Sequence, residues 1–184
     1  VFAAVSDVYF ARTPVVVWLA SRLMGGKTRS LSTLAATKAV THGVSANILA
    51  GSGEQARRAL VYLHPDSHES IWHAPNAPRH YLTEHARQRA ASKTVVRLCN
   101  GGTITALNAS MSAVHGPHPG LLCIDEADDV QREVLDAAMG QAESKVWPGS
   151  HGEVVPSCTL ISSTRYYCFC SRCRFRFHVS ENFA

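Results

Sequence analysis

No apolar run in this sequence approaches the roughly 18 residues that a helix needs to cross a bilayer. The stretch Pro14–Ala20 (PVVVWLA) is too short, so no membrane partner is expected. A secretory leader is not expected either, because Asp7, Arg12 and the glycine-containing segment after them interrupt any early apolar run. Charge is sparse: 17% of residues are charged against 46% apolar, which excludes a disordered chain and fits a globular one. Internal repeats and low-complexity linkers are missing too. The six cysteines show no regular spacing, which argues against a disulfide framework and for a reducing compartment. Three of them, Cys99, Cys123 and Cys158, lie in apolar segments and read as small buried residues. The net charge of +4, from 18 Lys and Arg against 14 Asp and Glu, carries little weight on its own for a polyanionic partner. A length of 184 residues suits one domain with a continuous core.

What is present is an alternation of strand-like and helix-like segments. Val15–Ala20 reads as a buried parallel strand, Ser21–Thr28 (SRLMGGKT) as a loop, and the segment from Arg29 as a helix that stops near Gly43. Val44–Ala50 reads as a second strand and Glu54–Leu63 as a helix with Ala56, Leu60 and Leu63 on one face. Pro65–Pro78 is irregular, and Leu82–Ala91 reads as a polar helix. Lys93–Cys99 and Thr103–Leu107 flank Asn100-Gly101-Gly102 as a hairpin. Leu121–Ile124 is an apolar strand that runs into Asp125, Glu126, Ala127 and Asp128. Val130–Met139 is a helix with an acid-rich start. Cys158–Ile161 is a strand followed by Ser162, Ser163 and Thr164. This order predicts a three-layer α/β sandwich with a mostly parallel central sheet.

Two segments carry chemistry. Strand, glycine-containing loop and helix, in that order, form the context of a phosphate-binding loop. Gly25 and Gly26 let the backbone approach phosphates without a Cβ clash. Lys27 would reach the β and γ phosphates, and Thr28 would supply a hydroxyl to Mg²⁺. The pattern G-x-x-x-x-G-K-[ST] holds Ser21 at its first position; alone, Gly-Lys-Thr also fits a surface turn before a helix. In the second segment, Asp125 and Glu126 end an apolar strand, where ligands of open α/β sheets bind. Asp125 would position Mg²⁺ and Glu126 would activate the attacking water; the bland alternative is a helix cap. Asp128 and Asp129 read as surface or cap residues. Ser162, Ser163 and Thr164 are placed to sense the γ-phosphate, or form a polar turn. Arg22 would contact the γ-phosphate from within the loop, with Arg165 of a neighbouring subunit as the other candidate.

With these residues in view, the sequence resembles the ATPase domain of the large terminase subunit of tailed bacteriophages. SRLMGGKT, with Arg22 near the start of the loop, is similar to the deviant Walker A form SRxxGKT, although here the Arg stands one residue farther from the Lys. Ala46–Leu60 (ANILAGSGEQARRAL) resembles the family's strand followed by a helix with Gln and Ala near its start. Ser112–Gln141 resembles a longer signature in which a Gly-Pro-His loop enters the Walker B strand, and Leu160–Thr164 (LISST) resembles the coupling motif. The similarity spans roughly residues 12–165. It implies a P-loop ATPase domain over residues 1–165 and Mg²⁺-dependent ATP hydrolysis with Lys27, Glu126 and Arg22 as catalytic residues. Ser21, Arg22, Gly25, Gly26, Lys27 and Thr28 would cradle the nucleotide, Thr28 and Asp125 would hold the metal, and Ser162, Ser163 and Thr164 would couple. It further implies a homo-oligomeric ring on double-stranded DNA, with the portal protein and small terminase subunit as partners, in the host cell cytoplasm and transiently at the procapsid portal vertex. Full-length members of that family also carry a C-terminal nuclease domain, and no nuclease activity is expected of these 184 residues. The rivals are a superfamily 2 helicase-like ATPase, since Asp125-Glu126-Ala127-Asp128 spells that group's tetrapeptide, and a decayed DNA-binding or assembly module.

The tail, residues 166–184, stands apart. Tyr166–Phe177 (YYCFCSRCRFRF) mixes Cys, Arg and aromatic residues. Cys170 and Cys173 have the spacing of half a zinc site, and four ligands are needed. Arg172, Arg174 and Arg176 alternate with Cys and Phe, a pattern that also fits phosphate contact or a junction with another domain.

Overall fold

The computed structural model describes residues 2–20, 26–77, 79, 82, 93–116, 118–147 and 151–164. A mixed, mostly parallel sheet is flanked by helices on both faces. In chain order the elements are α1 (Phe2–Tyr9), β1 (Val15–Ala20), α2 (Lys27–His42), β2 (Ser45–Ala50), α3 (Gly53–Val61), β3 (Val95–Arg97) and β4 (Thr103–Asn108). There follow α4 (Met111–Val114), β5 (Leu121–Asp125), α5 (Arg132–Met139), the small ribbon of β6 (Lys145–Val146) and β7 (Val154–Val155), and β8 (Cys158–Thr164). The main sheet has the order β1-β8-β5-β2-β4-β3, parallel except for the β3–β4 hairpin. This is an α/β sandwich of the kind the alternating pattern predicts.

Strand alternation builds the layers. Ala46, Ile48 and Ala50 of β2, with Leu121 and Cys123 of β5 and Leu160 of β8, face α2 and α3 in one apolar cluster. Leu49, Leu122, Ile124 and Ile161 point the other way, to Val134 and Leu135 of α5 and Val114 of α4. The two central strands are therefore buried on both faces, as their unbroken apolar runs require.

Several expectations need correction. β1 is parallel but lies at the sheet's edge, with Val15, Val17 and Leu19 exposed and Val17 at 41%. Its valines look like a core run because the strand order, which local sequence does not carry, leaves one face uncovered. Cys123 and Cys158 are buried, whereas Cys99 is exposed in the hairpin. The acid-rich stretch does not open α5: Ala127–Asp129 is a 3-10 turn, and α5 starts later with Gln131 as its N-cap. Ser162, Ser163 and Thr164 belong to β8 itself. The segment read as a polar helix falls almost wholly outside the described residues; Leu82, within it, forms a bridge with Leu98. Among the described residues no helix is long and apolar enough to cross a membrane.

α2 spans the site's height and ends cleanly. Gly43 takes φ 63°, and its N–H returns to the Ala39 carbonyl at 2.9 Å. Asn100 of the hairpin donates its side-chain amide to the carbonyls of Ala39 and Val40 at 3.0 and 2.8 Å. The hairpin presses so closely that a Cβ on Gly102 would stand 2.6 Å from the Ala39 carbonyl oxygen. Beside this end, His42 packs against Tyr9 and Trp147 with its Nδ1 2.8 Å from the Thr41 hydroxyl. Burial, then the Lys38 charge, lower its pKa below 6.5, against an opposing hydrogen bond to the Lys38 backbone.

Two outcomes follow. Gly102→Ala must push two backbone segments apart, so urea denaturation is expected to show a loss of about 1–3 kcal/mol. A histidine whose pKa is lowered by folding binds its proton more readily in the unfolded chain. Its contribution is therefore complete above pH 6.5 and lost as pH falls through the folded value. Denaturation midpoints measured below pH 6.5 should fall less in His42→Gln than in the parent.

Candidate nucleotide site

The parallel strands β8, β5 and β2 all end on one edge of the sheet, and α2 begins there. Asp125 is the last residue of β5, which is buried throughout. Because Ile124 pairs with Ile161, the next residues, Asp125 and Ser162, stand side by side. Asp125 is 4% exposed and Ser162 fully buried. Ser162 donates its hydroxyl to Asp125 Oδ1 at 3.1 Å, and Thr28, from the first turn of α2, donates to Oδ2 at 2.6 Å. Thr28 and Asp125 are 97 residues apart in sequence. A buried carboxylate is expensive unless it is met by donors, and these two hydroxyls supply them.

Lys27 opens α2 and is 8% exposed. Its Nζ lies 3.2 Å from Glu126 Oε1. Gly26, at the N-cap, takes φ 59°, a left-handed conformation that suits glycine. It brings no capping side chain, and the helix's first turn holds no acid. A helix start with that character, carrying a lysine, is electrostatically suited to an anion.

Glu126 has φ 51° without being glycine, a conformation costing about 1–3 kcal/mol that persists only where the surroundings impose it. The 3-10 turn after it is tied on both sides. Asp128 accepts the hydroxyl of Ser163 in β8, and Asp129 Oδ2 accepts from Gln55 Nε2 of α3 at 3.1 Å. Both aspartates are exposed, as surface residues should be, yet each has a specific partner that their sequence neighbourhood does not announce. Gln55 did carry a signal: Ser52 and Gln55 have capping-box spacing, and both reciprocal bonds form.

Two residues back along the same buried strand, burial raises the Cys123 thiol to about 12, helped by the Asp125 charge and opposed by Lys38. That thiol is a packing group rather than a nucleophile. Lys38, on the same face of α2 as Leu31, Leu34 and Ala35, is wholly buried and donates to the Val8 carbonyl at 3.2 Å, with Cys158 Sγ at 3.7 Å. It fastens α1 to the core. Between α1 and the start of α2 lies a cavity of about 410 Å³ bordered by Tyr9, Phe10, Arg29 and Thr33.

The structure thus brings together Lys27, Thr28, Asp125, Glu126, Ser162 and Ser163, with Gly26 at the helix start. Ser21, Arg22 and Gly25 lie outside the described residues, as do Arg165, Cys170, Cys173 and the rest of the tail, and nothing is described of the Thr164 side chain. Among the described residues no three His, Cys, Asp or Glu side chains converge as a protein-only metal centre. Thr28 and Asp125 do pair two hard oxygen donors, which suits a Mg²⁺ that keeps water and substrate phosphates as its other ligands. Compared with known proteins, the chain matches no family model, and no curated protein matches it.

Replacing Ser162 by Ala removes one of the two hydroxyl donors to the buried Asp125 carboxylate. Unfolding in urea should register a loss of about 1–3 kcal/mol.

Proposed function

We propose that this chain binds ATP with Mg²⁺ and hydrolyses it, in a P-loop ATPase site formed by α2 and the ends of β5 and β8. The observation that carries this reading is the meeting of Thr28 and Asp125 at 2.6 Å beside Lys27 and Glu126 at 3.2 Å. A helix start suited to an anion and a strand-end acid pair are thereby set against each other. Lys27 would hold the β and γ phosphates, and the N–H groups at the head of α2 would add to its field. Thr28 and Asp125 would hold Mg²⁺, which when bound offsets charge on the phosphoryl oxygens. Glu126 would accept hydrogen bonds from the attacking water and draw off its proton. A phosphate arriving at Lys27 competes for the ammonium that now faces Glu126, so substrate binding would release that carboxylate for the water.

Within this reading, hydrolysis drives double-stranded DNA through a homo-oligomeric ring, as in the terminase motors that the loop, the Gly116–Gln141 block and the LISST segment resemble. Ser162 and Ser163 support it: both hydroxyls sit on the carboxylates of the site, so a change at Asp125 or Asp128 is felt by β8. Arg22 would add positive charge from the loop.

Phosphate release from Mg-ATP, with and without long duplex or single-stranded DNA, tests both levels. Glu126→Ala is expected to lower kcat by about 10²–10⁴ while ATP still binds. Stimulation by duplex supports the translocation motor. Stimulation chiefly by single strands favours a helicase-type ATPase. Folded protein that binds ATP without turnover would overturn the hydrolytic reading.

A further inference from the structure

The left-handed backbone of Glu126 needs a cause, and the residues around it provide one. Its carboxylate lies 3.2 Å from Lys27 Nζ, and the turn Ala127–Asp129 follows it directly. Two hydrogen bonds define that turn: Asp129 N–H to the Glu126 carbonyl at 2.9 Å and Val130 N–H to the Ala127 carbonyl at 3.2 Å. On the β8 side it is tied through Asp128 and Ser163. On the β2 side it meets the loop that starts α3. There the backbones are nearly touching, since a Cβ on Gly51 would lie 2.7 Å from Asp129 Cβ and 2.8 Å from its carbonyl oxygen.

Gln55 bridges this contact, and its carboxamide is used at both ends. Oε1 accepts from Ser52 N–H at 2.9 Å, completing the cap of α3, while Gln55 N–H returns to the Ser52 hydroxyl at 3.2 Å. With Oε1 committed to the cap, Nε2 faces Asp129 and donates to Oδ2 at 3.1 Å. An acceptor on one side and a donor on the other is what a carboxamide offers and a carboxylate does not. A glutamate would serve the cap equally well. The cap alone therefore gives no reason for glutamine; the bond to Asp129 does.

We infer that Gln55 is a positioning residue for the hydrolytic site. It holds the turn after Glu126 against the head of α3, and so sets the Glu126 carboxylate in register with Lys27 and the attacking water. The inference rests on the ATPase reading above. It also places the start of α3 in mechanical contact with the catalytic carboxylate.

The variant that separates positioning from capping is Gln55→Glu. It keeps the capping box and adds a negative charge at a helix start, where it is favourable, but sets a carboxylate against Asp129. Expected are a kcat about tenfold lower with KM within about twofold, since small misplacement of a reacting group is costly, and no fall in melting temperature. Amide exchange should accelerate at Asp129 and Val130 but not at Ala56, whose N–H bonds to Ser52 within the cap of α3. Asp129→Asn alone should be mild, because its amide oxygen still accepts from Gln55. In the double variant Gln55→Glu/Asp129→Asn, the new amide donates to the new carboxylate, and kcat should return to within about threefold of the parent. A Gln55→Glu protein with parental kcat and parental exchange at Asp129 and Val130 overturns the inference, as does a double variant no faster than Gln55→Glu. Parent protein that binds ATP without turnover sinks the ATPase reading instead, and the exchange arm still decides whether Gln55 holds the turn.

Discussion

The burial of the Asp125 carboxylate governs this structure's functional edge. A charge at 4% exposure is tolerated only because hydroxyls from two other elements converge on it. Thr28 reaches it from a helix and Ser162 from the neighbouring strand. That requirement links α2, β5 and β8 at a single point. Their relative heights are then settled by hydrogen bonds as short as 2.6 Å, where apolar packing alone would tolerate sliding. Lys27, one residue before Thr28, and Glu126, one residue after Asp125, are carried into contact by the same linkage.

From that point the site extends outward along the crest of the sheet. The Ser163–Asp128 bond repeats the Ser162–Asp125 arrangement nearer to solvent, and the Gln55–Asp129 bond continues it to α3. Hydroxyl or amide donors thus meet three carboxylates along the segment from Asp125 to Asp129. The innermost bond is buried and rigid, the outermost exposed and softer. This gradient places the fixed part where a metal and phosphates would be gripped, and the yielding part where other elements join.

Much of this was legible in residue order, and the remainder was hidden for definite reasons. Gly-Lys-Thr after a valine-rich strand and Ile-Asp-Glu at the end of another are local patterns, so Lys27, Thr28, Asp125 and Glu126 could be named from sequence. The α/β layering follows from equally local alternation. Strand order is not local, which is why β1 reads as buried while Val15, Val17 and Leu19 face outward. Nothing near Lys38 in sequence reveals that its ammonium meets the Val8 carbonyl of α1. Asp128 reads as surface and is exposed, but its bond to Ser163 is hidden because that partner comes from another strand. The Ser52-x-x-Gln55 cap went unread, although its spacing is local, and a cap's second use depends on what packs beside it.

The placement of β1 beside β8 bears on how the chain is made. As synthesis proceeds, β1 emerges first among these strands and its partner last, so Val15–Ala20 must wait for Cys158–Thr164 before its backbone is paired. Thr28 likewise waits for Asp125, 97 residues later. Contacts of such range close slowly, since the loop must be ordered before it is rewarded. The β3–β4 hairpin and the α2–β2–α3 unit can form early. The cluster around Asp125 cannot: Ser162 arrives only with β8, so a partly synthesised or partly folded chain leaves that carboxylate without its full set of hydroxyl donors.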